Sequence, residues 1–242
     1  SYLNAFDGAG NFIHGLGVQN VRIIEDGQSL PIDEISEMNP GSQYVVAINM
    51  GPAYAIQDVN GISRYEHIQT TLLSWIETYP QTTTDNLSLV SNDELEGLHF
   101  EDPAEWLSLF QPYQPNFDTA LPSLDVLSQA IITASNPTAQ TGTGRGILLI
   151  TPLPNEDSLA ALPSLEALAK QNQVRINIWM VSSRAYFDSP GAIQLENIAI
   201  QTGGQFFPYS GEETLPAVNQ YVDPLRYTYS LAYTSQISSG DS

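Results

Sequence analysis

The 242-residue sequence has no cysteine and a single lysine, Lys170. Without cysteine there are no disulfides, no thiolate-ligated zinc, no iron–sulfur cluster and no thiol nucleophile. Either redox compartment suits such a chain. Basic residues as a class are scarce: 7 Lys and Arg stand against 27 Asp and Glu, a formal net charge of -20. Binding a phosphate backbone requires a basic face, so nucleic acid is not an expected partner. The same charge disfavours docking on anionic lipid. No run of about 18 apolar residues occurs, so no segment reads as a membrane span. The phosphate cradle G-x-x-x-x-G-K-[ST] and the nucleophile elbow G-x-S-x-G are also missing. The three histidines, His14, His67 and His99, fall in different elements. A zinc site needs three or four converging ligands, so they read as unrelated side chains.

What is present suits a folded protein. Hydrophobic residues make up 42% of the chain and charged residues 14%, which allows a substantial core and argues against disorder. The length fits one large domain, or one domain with a small appendage. A surface of neutral polar groups and carboxylates is common on exported proteins. It equally keeps like-charged molecules apart in solution. The chain begins at Ser1 without a methionine and ends in Ser238-Ser239-Gly240-Asp241-Ser242, which reads as a linker. Both ends are therefore expected to continue into a longer protein, and any signal peptide or anchor to lie outside this segment.

Residues 2–38 read as short strands and turns, with Asp7-Gly8 and Asp26-Gly27 as turn signals. Leu30–Ile35 is expected to be an edge strand that tolerates Pro31. The first continuous apolar run, Tyr44–Ile48, predicts a strand buried on both faces. Tyr65, Ile68, Leu72, Leu73 and Ile76 recur at helical spacing before Pro80. Strands follow at Asn86–Val90 and Gly97–Phe100, and a helix at Pro103–Phe110 with proline at its start. A helix at Leu121–Ala134 precedes the second buried strand, Gly146–Thr151. A helix capped by Ser158 runs to Asn172 and leads into the strand Val174–Val181. Ala192–Thr202 is a helix stopped by Gly203-Gly204. Gln205–Phe207 is a strand, Glu212–Tyr221 the last helix, and Arg226–Thr234 a period-2 strand. Strand–helix alternation of this kind implies a doubly wound α/β fold, a mostly parallel sheet with helices on both faces. Ligands on such sheets sit beyond the strand C-termini at the switch point, which nominates the loops after Ile48, Leu109 and Ile150.

The order of elements around Tyr44–Asn49 resembles a von Willebrand factor type A domain. The resemblance spans residues 42–222. Phe6-Asp7-Gly8-Ala9-Gly10-Asn11-Phe12-Ile13-His14-Gly15-Leu16, followed by Arg22–Gln28, resembles the segment that precedes the A domain in many bacterial exported proteins. Arg226–Tyr233 resembles their exit strand. The resemblance implies a β-rich N-terminal extension over residues 1–41, an A-like domain over 42–225, and a C-terminal strand and linker over 226–242. Residues 2–40 and 226–235 are expected to pair or pack together, since neither stretch can hold a core alone.

Such domains usually bind a divalent cation at a metal-ion-dependent adhesion site. A D-x-S-x-S loop, a threonine from a second loop and an aspartate from a third supply hard oxygen ligands. This sequence departs from that pattern. Asn49 takes the first Asp position, Gly51 and Ala53 the two Ser positions, and Pro152 the third-loop Asp; Thr119 keeps the second-loop threonine. No bound metal and no cofactor are expected. Asp58 or Asp118 are the carboxylates that could rescue a weak cation site. The loops carrying Asn49, Met50, Gly51, Ala53, Thr119, Thr151 and Pro152 form the candidate binding region. An exposed apolar patch there (Met50, Pro52, Tyr54, Pro152, Leu153) would mark a partner site; a covered loop would mark a scaffold.

The remaining candidates read as structural. The carboxylate groups Asp93/Glu94/Glu96, Glu101/Asp102/Glu105 and Glu156/Asp157 lie in turns or helix starts, where acids favour the helix dipole. Gly142-x-Gly144-x-Gly146 precedes its strand, opposite to a dinucleotide loop, and reads as a flexible approach. The aromatic tail Tyr221–Tyr233 reads as the buried face of an edge strand. The expected function is a non-enzymatic, adhesion-type module that binds an unknown protein partner, on an exported or surface-anchored protein. The alternative is a structural spacer in a larger chain.

Overall fold

The computed structural model describes residues 1–81, 83–117, 119–136 and 141–235. Short strands come first: β1 (Tyr2–Leu3), β2 (Ile23–Glu25), β3 (Gln28–Leu30) and β4 (Glu34–Met38). The strands of the main sheet are β5 (Ser42–Ile48), β6 (Asn86–Ser91), β7 (Glu96–Phe100), β8 (Gly144–Pro152), β9 (Val174–Val181) and β10 (Phe206–Tyr209). Strand β11 (Thr228–Ala232) returns to the N-terminal segment. The helices are α1 (Arg64–Glu77), α2 (Pro103–Phe110), α3 (Asp125–Ser135), α4 (Glu156–Leu159), α5 (Leu162–Gln171), α6 (Pro190–Gln201) and α7 (Asn219–Val222).

The main sheet has the order β10-β9-β8-β5-β6-β7. All its neighbours are parallel except β7, which runs antiparallel to β6. Every residue of β5 is buried. Tyr44, Val46 and Ile48 pack on the face covered by α1, α2 and α7. Val45 and Ala47 pack on the face covered by α3, α5 and α6. Period-2 alternation between two apolar layers explains why the strand reads as an unbroken apolar run. Each fully buried Leu, Ile or Val is worth roughly 1.5–3 kcal/mol of transfer free energy, so these two layers dominate the fold.

Caps fix the helix starts. Ser63 Oγ accepts from Glu66 N at 3.2 Å and Glu66 Oε2 accepts from Ser63 N at 2.6 Å, closing a capping box on α1. Asp102 Oδ1 accepts from Ala104 N at 2.8 Å at the start of α2. Asp102, Glu105, Glu156 and Asp157 therefore lie where the carboxylate reading placed them.

Several boundaries differ from expectation. The helix expected over Leu121–Ala134 begins only at Asp125. Leu121–Leu124 stay non-helical, and Ser123 Oγ accepts from Asp125 N at 3.1 Å. The single helix expected from Ser158 breaks into α4 and α5; Pro163, which lacks an N–H, sits in the first turn of the second piece. The cap of α4 is Asn155 and not Ser158: Asn155 Oδ1 accepts from Ser158 N at 2.8 Å. Of the helix expected over Glu212–Tyr221, only Asn219–Val222 forms. Glu213 instead turns back, accepting from Ser210 N at 2.7 Å and from Arg184 Nε at 2.9 Å, and Pro216 disfavours helix at its neighbour. Leu30–Ile35 is not one strand, because Pro31 separates β3 from β4. Gly144 and Gly146 are not a flexible approach: both lie within β8. A Cβ on Gly144 would sit 2.1 Å from the Leu225 carbonyl oxygen, so glycine lets the C-terminal segment press onto the strand.

The expected pairing of the two ends is present. Strand β11 lies between β1 and β4, antiparallel to both, so the aromatic tail is a central strand of the small sheet and not an edge. Phe12 stacks on Tyr229 at 5.2 Å between ring centroids. Asp7 folds its own turn, accepting from Ala9 N at 2.8 Å and Asn11 N at 2.9 Å. Asp26 and Gly27, both at positive φ, close the β2–β3 hairpin.

A buried polar strut joins this end piece to the main sheet. Asp85 accepts from Ser42 N, Ser42 Oγ, Tyr79 Oη and Arg226 Nε, all at 2.7 Å. Asp223 pairs with the same guanidinium.

Candidate functional site

The chain passes from β5 to β6 on one side and returns to β8 on the other, so the switch point lies above the C-terminal ends of β5 and β8. The nominated loops meet there. Asn49 follows β5, is fully buried, and donates its backbone N–H to the Ile150 carbonyl at 2.8 Å. Its side chain is used at both ends: Nδ2 donates to Thr151 Oγ1 at 2.9 Å, and Oδ1 accepts from Ser123 N at 2.8 Å. Thr151, also fully buried, donates to the Pro152 carbonyl at 2.8 Å. The donors and acceptors all match for a neutral amide.

Asn92 makes a second bridge. Its Oδ1 accepts from Met50 N at 2.5 Å, and its Nδ2 donates to Met50 O at 3.0 Å and Leu121 O at 2.8 Å. Tyr54, the one buried residue of the turn Pro52–Ala55, donates to the Ile150 carbonyl at 2.8 Å. Two asparagines and a tyrosine thus lace the three loops together through uncharged hydrogen bonds.

The described residues of these loops do not offer a cation its ligands. Asn49 presents an amide nitrogen toward Thr151, which is a donor and not a ligand. Space at the first serine position is filled: a Cβ on Gly51 would meet Pro122 Cγ at 2.6 Å and Pro152 Cγ at 3.4 Å. Ala53 is half-buried and offers its backbone carbonyl to Arg64 Nη1 at 3.3 Å. Thr119 is exposed, and its hydroxyl faces the Asn116 carbonyl at 3.5 Å. Asp118 lies outside the described residues. Asp58 is occupied within its own loop, accepting from Asn60 N at 2.8 Å and Ile62 N at 3.1 Å and pairing with His67 Nε2 at 3.1 Å. Those bonds hold the Asp58 carboxyl below the usual range, the one to Ile62 most. Among the described residues, no group of three or more His, Asp or Glu could hold a metal ion.

The region is also not an exposed apolar patch. Met50, Tyr54 and Pro152 are buried, Leu153 is half-buried, and only Pro52 is open to solvent. Burial pushes the Tyr54 hydroxyl well above its ordinary range. Apolar exposure lies further along the same loop, where Ile56, Val59 and Ile62 are 47%, 101% and 39% exposed.

Asn49, Met50, Gly51, Thr151 and Pro152 come together as the sequence suggests, while Thr119 does not join them. Sequence reasoning missed Asn92 and Ser123. Asn92 sits beside the carboxylates Asp93 and Glu94, and Ser123 lies inside the helix expected over Leu121–Ala134. Asp93 itself braces the loop above, accepting from Tyr113 Oη at 3.0 Å and Asn116 N at 3.2 Å. The histidines are separate, paired with Glu37 (His14), Asp58 (His67) and Asn86 (His99).

No family model matches the chain, and no curated protein matches it. Among solved structures, the chain is similar to the crystal structure of the conserved hypothetical protein BatB from Bacteroides thetaiotaomicron, with a TM-score of 0.52 and 14% identity. The match covers 70% of this chain and 91% of that one. At this identity the likeness shows the fold alone, a mostly parallel α/β sheet with helices on both faces.

Proposed function

We propose that this chain is a non-enzymatic module of the von Willebrand A type in which the cation-binding loops have become a structural closure. On this reading it supports or spaces its neighbours in a larger exported or surface-anchored protein. The carrying observation is the buried Asn49 side chain, bonded to both Thr151 and Ser123 where an adhesion site would place a carboxylate. An amide supplies the donor and the acceptor that the loops need, with no charge to neutralise.

The adhesion-type reading has one specific support. Ile56, Val59 and Ile62 project from the loop beside the closure, and Val59 is fully exposed. A cation-independent protein partner would be recognised there and not at the closed cleft.

The closure is tested by Thr151→Val, which keeps the shape and removes the hydroxyl. Asn49 Nδ2 then loses its acceptor in a fully buried site, and the Pro152 carbonyl loses a donor. The expected loss is about 1–3 kcal/mol in denaturant unfolding with an unchanged m-value. Unaltered stability would mean that these loops are not held by the asparagine, and the structural reading would fail.

A further inference from the structure

At the opposite end of the sheet, beneath the starts of β8 and β9, lies a cavity of about 600 Å³. Its walls come from the main sheet, the ends of α5 and α6, and the N-terminal segment. Three of the chain's seven Lys and Arg residues line it: Arg145, Lys170 and Arg175. No Asp or Glu lines it among the described residues. In a chain carrying 27 carboxylates, this is a local inversion of charge.

Like Arg22 and Arg64, the two arginines have no carboxylate partner among the described residues. Arg184 and Arg226 are paired with carboxylates. Arg145 instead donates to the Asn172 carbonyl at 3.1 Å. Arg175 donates to the Gly10 carbonyl at 3.2 Å and lies over the Phe6 ring at 3.9 Å from its centroid. Neither has an ion pair among the described residues, and both are half-buried. A guanidinium has five N–H donors, and among the described residues each is given fewer hydrogen bonds than it can make. Burial pulls the Arg175 guanidinium below its ordinary value, outweighing the opposing effect of Tyr44. Lys170 is partly neutralised by Glu166 at 2.7 Å and also reaches Gln201 at 3.1 Å.

We propose that this cavity binds a small organic oxyanion, a phosphate or a carboxylate, with its charged group on Arg145, Arg175 and Lys170 and its apolar body against Tyr2 and Tyr227. Guanidinium–oxyanion contacts are charge-assisted and directional. The volume lies within the range of about 300–1,000 Å³ typical of small-molecule sites, larger than one inorganic ion needs. The site would hold the N-terminal segment and the main sheet around one ligand, at the end of the sheet away from the closed loops. It is independent of the structural-closure reading.

The test is calorimetric titration of the whole chain with inorganic phosphate, phenyl phosphate and benzoate, each against sodium chloride at matched ionic strength. The expected result is saturable binding, tighter for at least one aromatic probe than for inorganic phosphate. Preference between phenyl phosphate and benzoate assigns the anionic group. Arg145→Gln and Lys170→Gln should each weaken binding, the arginine variant by about tenfold or more, the scale of a charged hydrogen bond. Arg175→Gln also removes the contact to Gly10, so the other two variants carry the test, after melting in chloride shows them folded. Absence of saturable binding by all three probes, or binding that both variants leave unchanged, overturns the proposal.

Discussion

Asp85→Ala is expected to lower stability by about 3–5 kcal/mol, the scale of a buried ion pair broken on one side. The carboxylate is almost wholly buried and receives four bonds, from Ser42 N, Ser42 Oγ, Tyr79 Oη and Arg226 Nε. Removing it leaves the buried Arg226 guanidinium with Asp223 alone, on its more exposed side. Burial would pull that guanidinium down, but the neighbouring Tyr79 and Asp85 outweigh it and hold it above its ordinary value. The strut connects the start of β5 to the segment that leads into β11, so its loss also loosens the small sheet. A double-mutant cycle with Arg226→Met separates the terms. Removing both charges should cost less than the sum of the single changes, because an apolar replacement leaves no orphan charge. Additive single effects would show that the two side chains act independently, against this account.

Asn49→Asp is the second large effect, and it depends on pH. The position is fully exposed to protein and not at all to water. An unfolded aspartate ionises near pH 3.9, whereas burial raises the folded value. A carboxyl with a raised folded value destabilises progressively as pH rises above the unfolded value. Near pH 4 and below, the protonated carboxyl donates to Thr151 as the amide does, and the variant should approach the parent. At neutral pH the deficit should reach the order of 4 kcal/mol, within the range for fully buried carboxyls. Denaturant unfolding of both proteins from pH 4 to pH 8 measures it. A deficit that is flat with pH, or none at neutrality, would mean that position 49 accommodates charge and that the closure has been misread.

The continuous apolar runs made the sheet legible. Tyr44–Ile48, Ile147–Ile150 and Val174–Val181 can be buried on both faces only in a covered parallel sheet, and that is where they lie. The pairing of the chain ends was legible because neither end carries a core of its own. The misplaced boundaries share a cause. Ser123, Asn155 and Glu213 each redirect the chain through a side-chain bond to backbone two or three residues away, a local alternative to helix that hydrophobic spacing does not show. The candidate site was half legible for a different reason, the distance in sequence between its partners. Asn49, Gly51 and Pro152 announce the loss of the usual ligands, but nothing local to Asn92 or Ser123 says that they face Met50 and Asn49 across the cleft. The glycines of β8 misled in the same way, since their need is set by Leu225, some eighty residues later in the chain.

The central claim is that a neutral hydrogen-bonded closure occupies the place of a cation site, and a thermal melt with excess Mg²⁺, Ca²⁺ or Mn²⁺ against a chelator tests it most directly. A cation bound only by the native state at a hundredfold excess over its Kd adds about 2.7 kcal/mol. For a chain of this size, that corresponds to a rise of about 5–10 °C. The account predicts melting curves that coincide in all four conditions; a rise of that size that Thr119→Ala abolishes would contradict it.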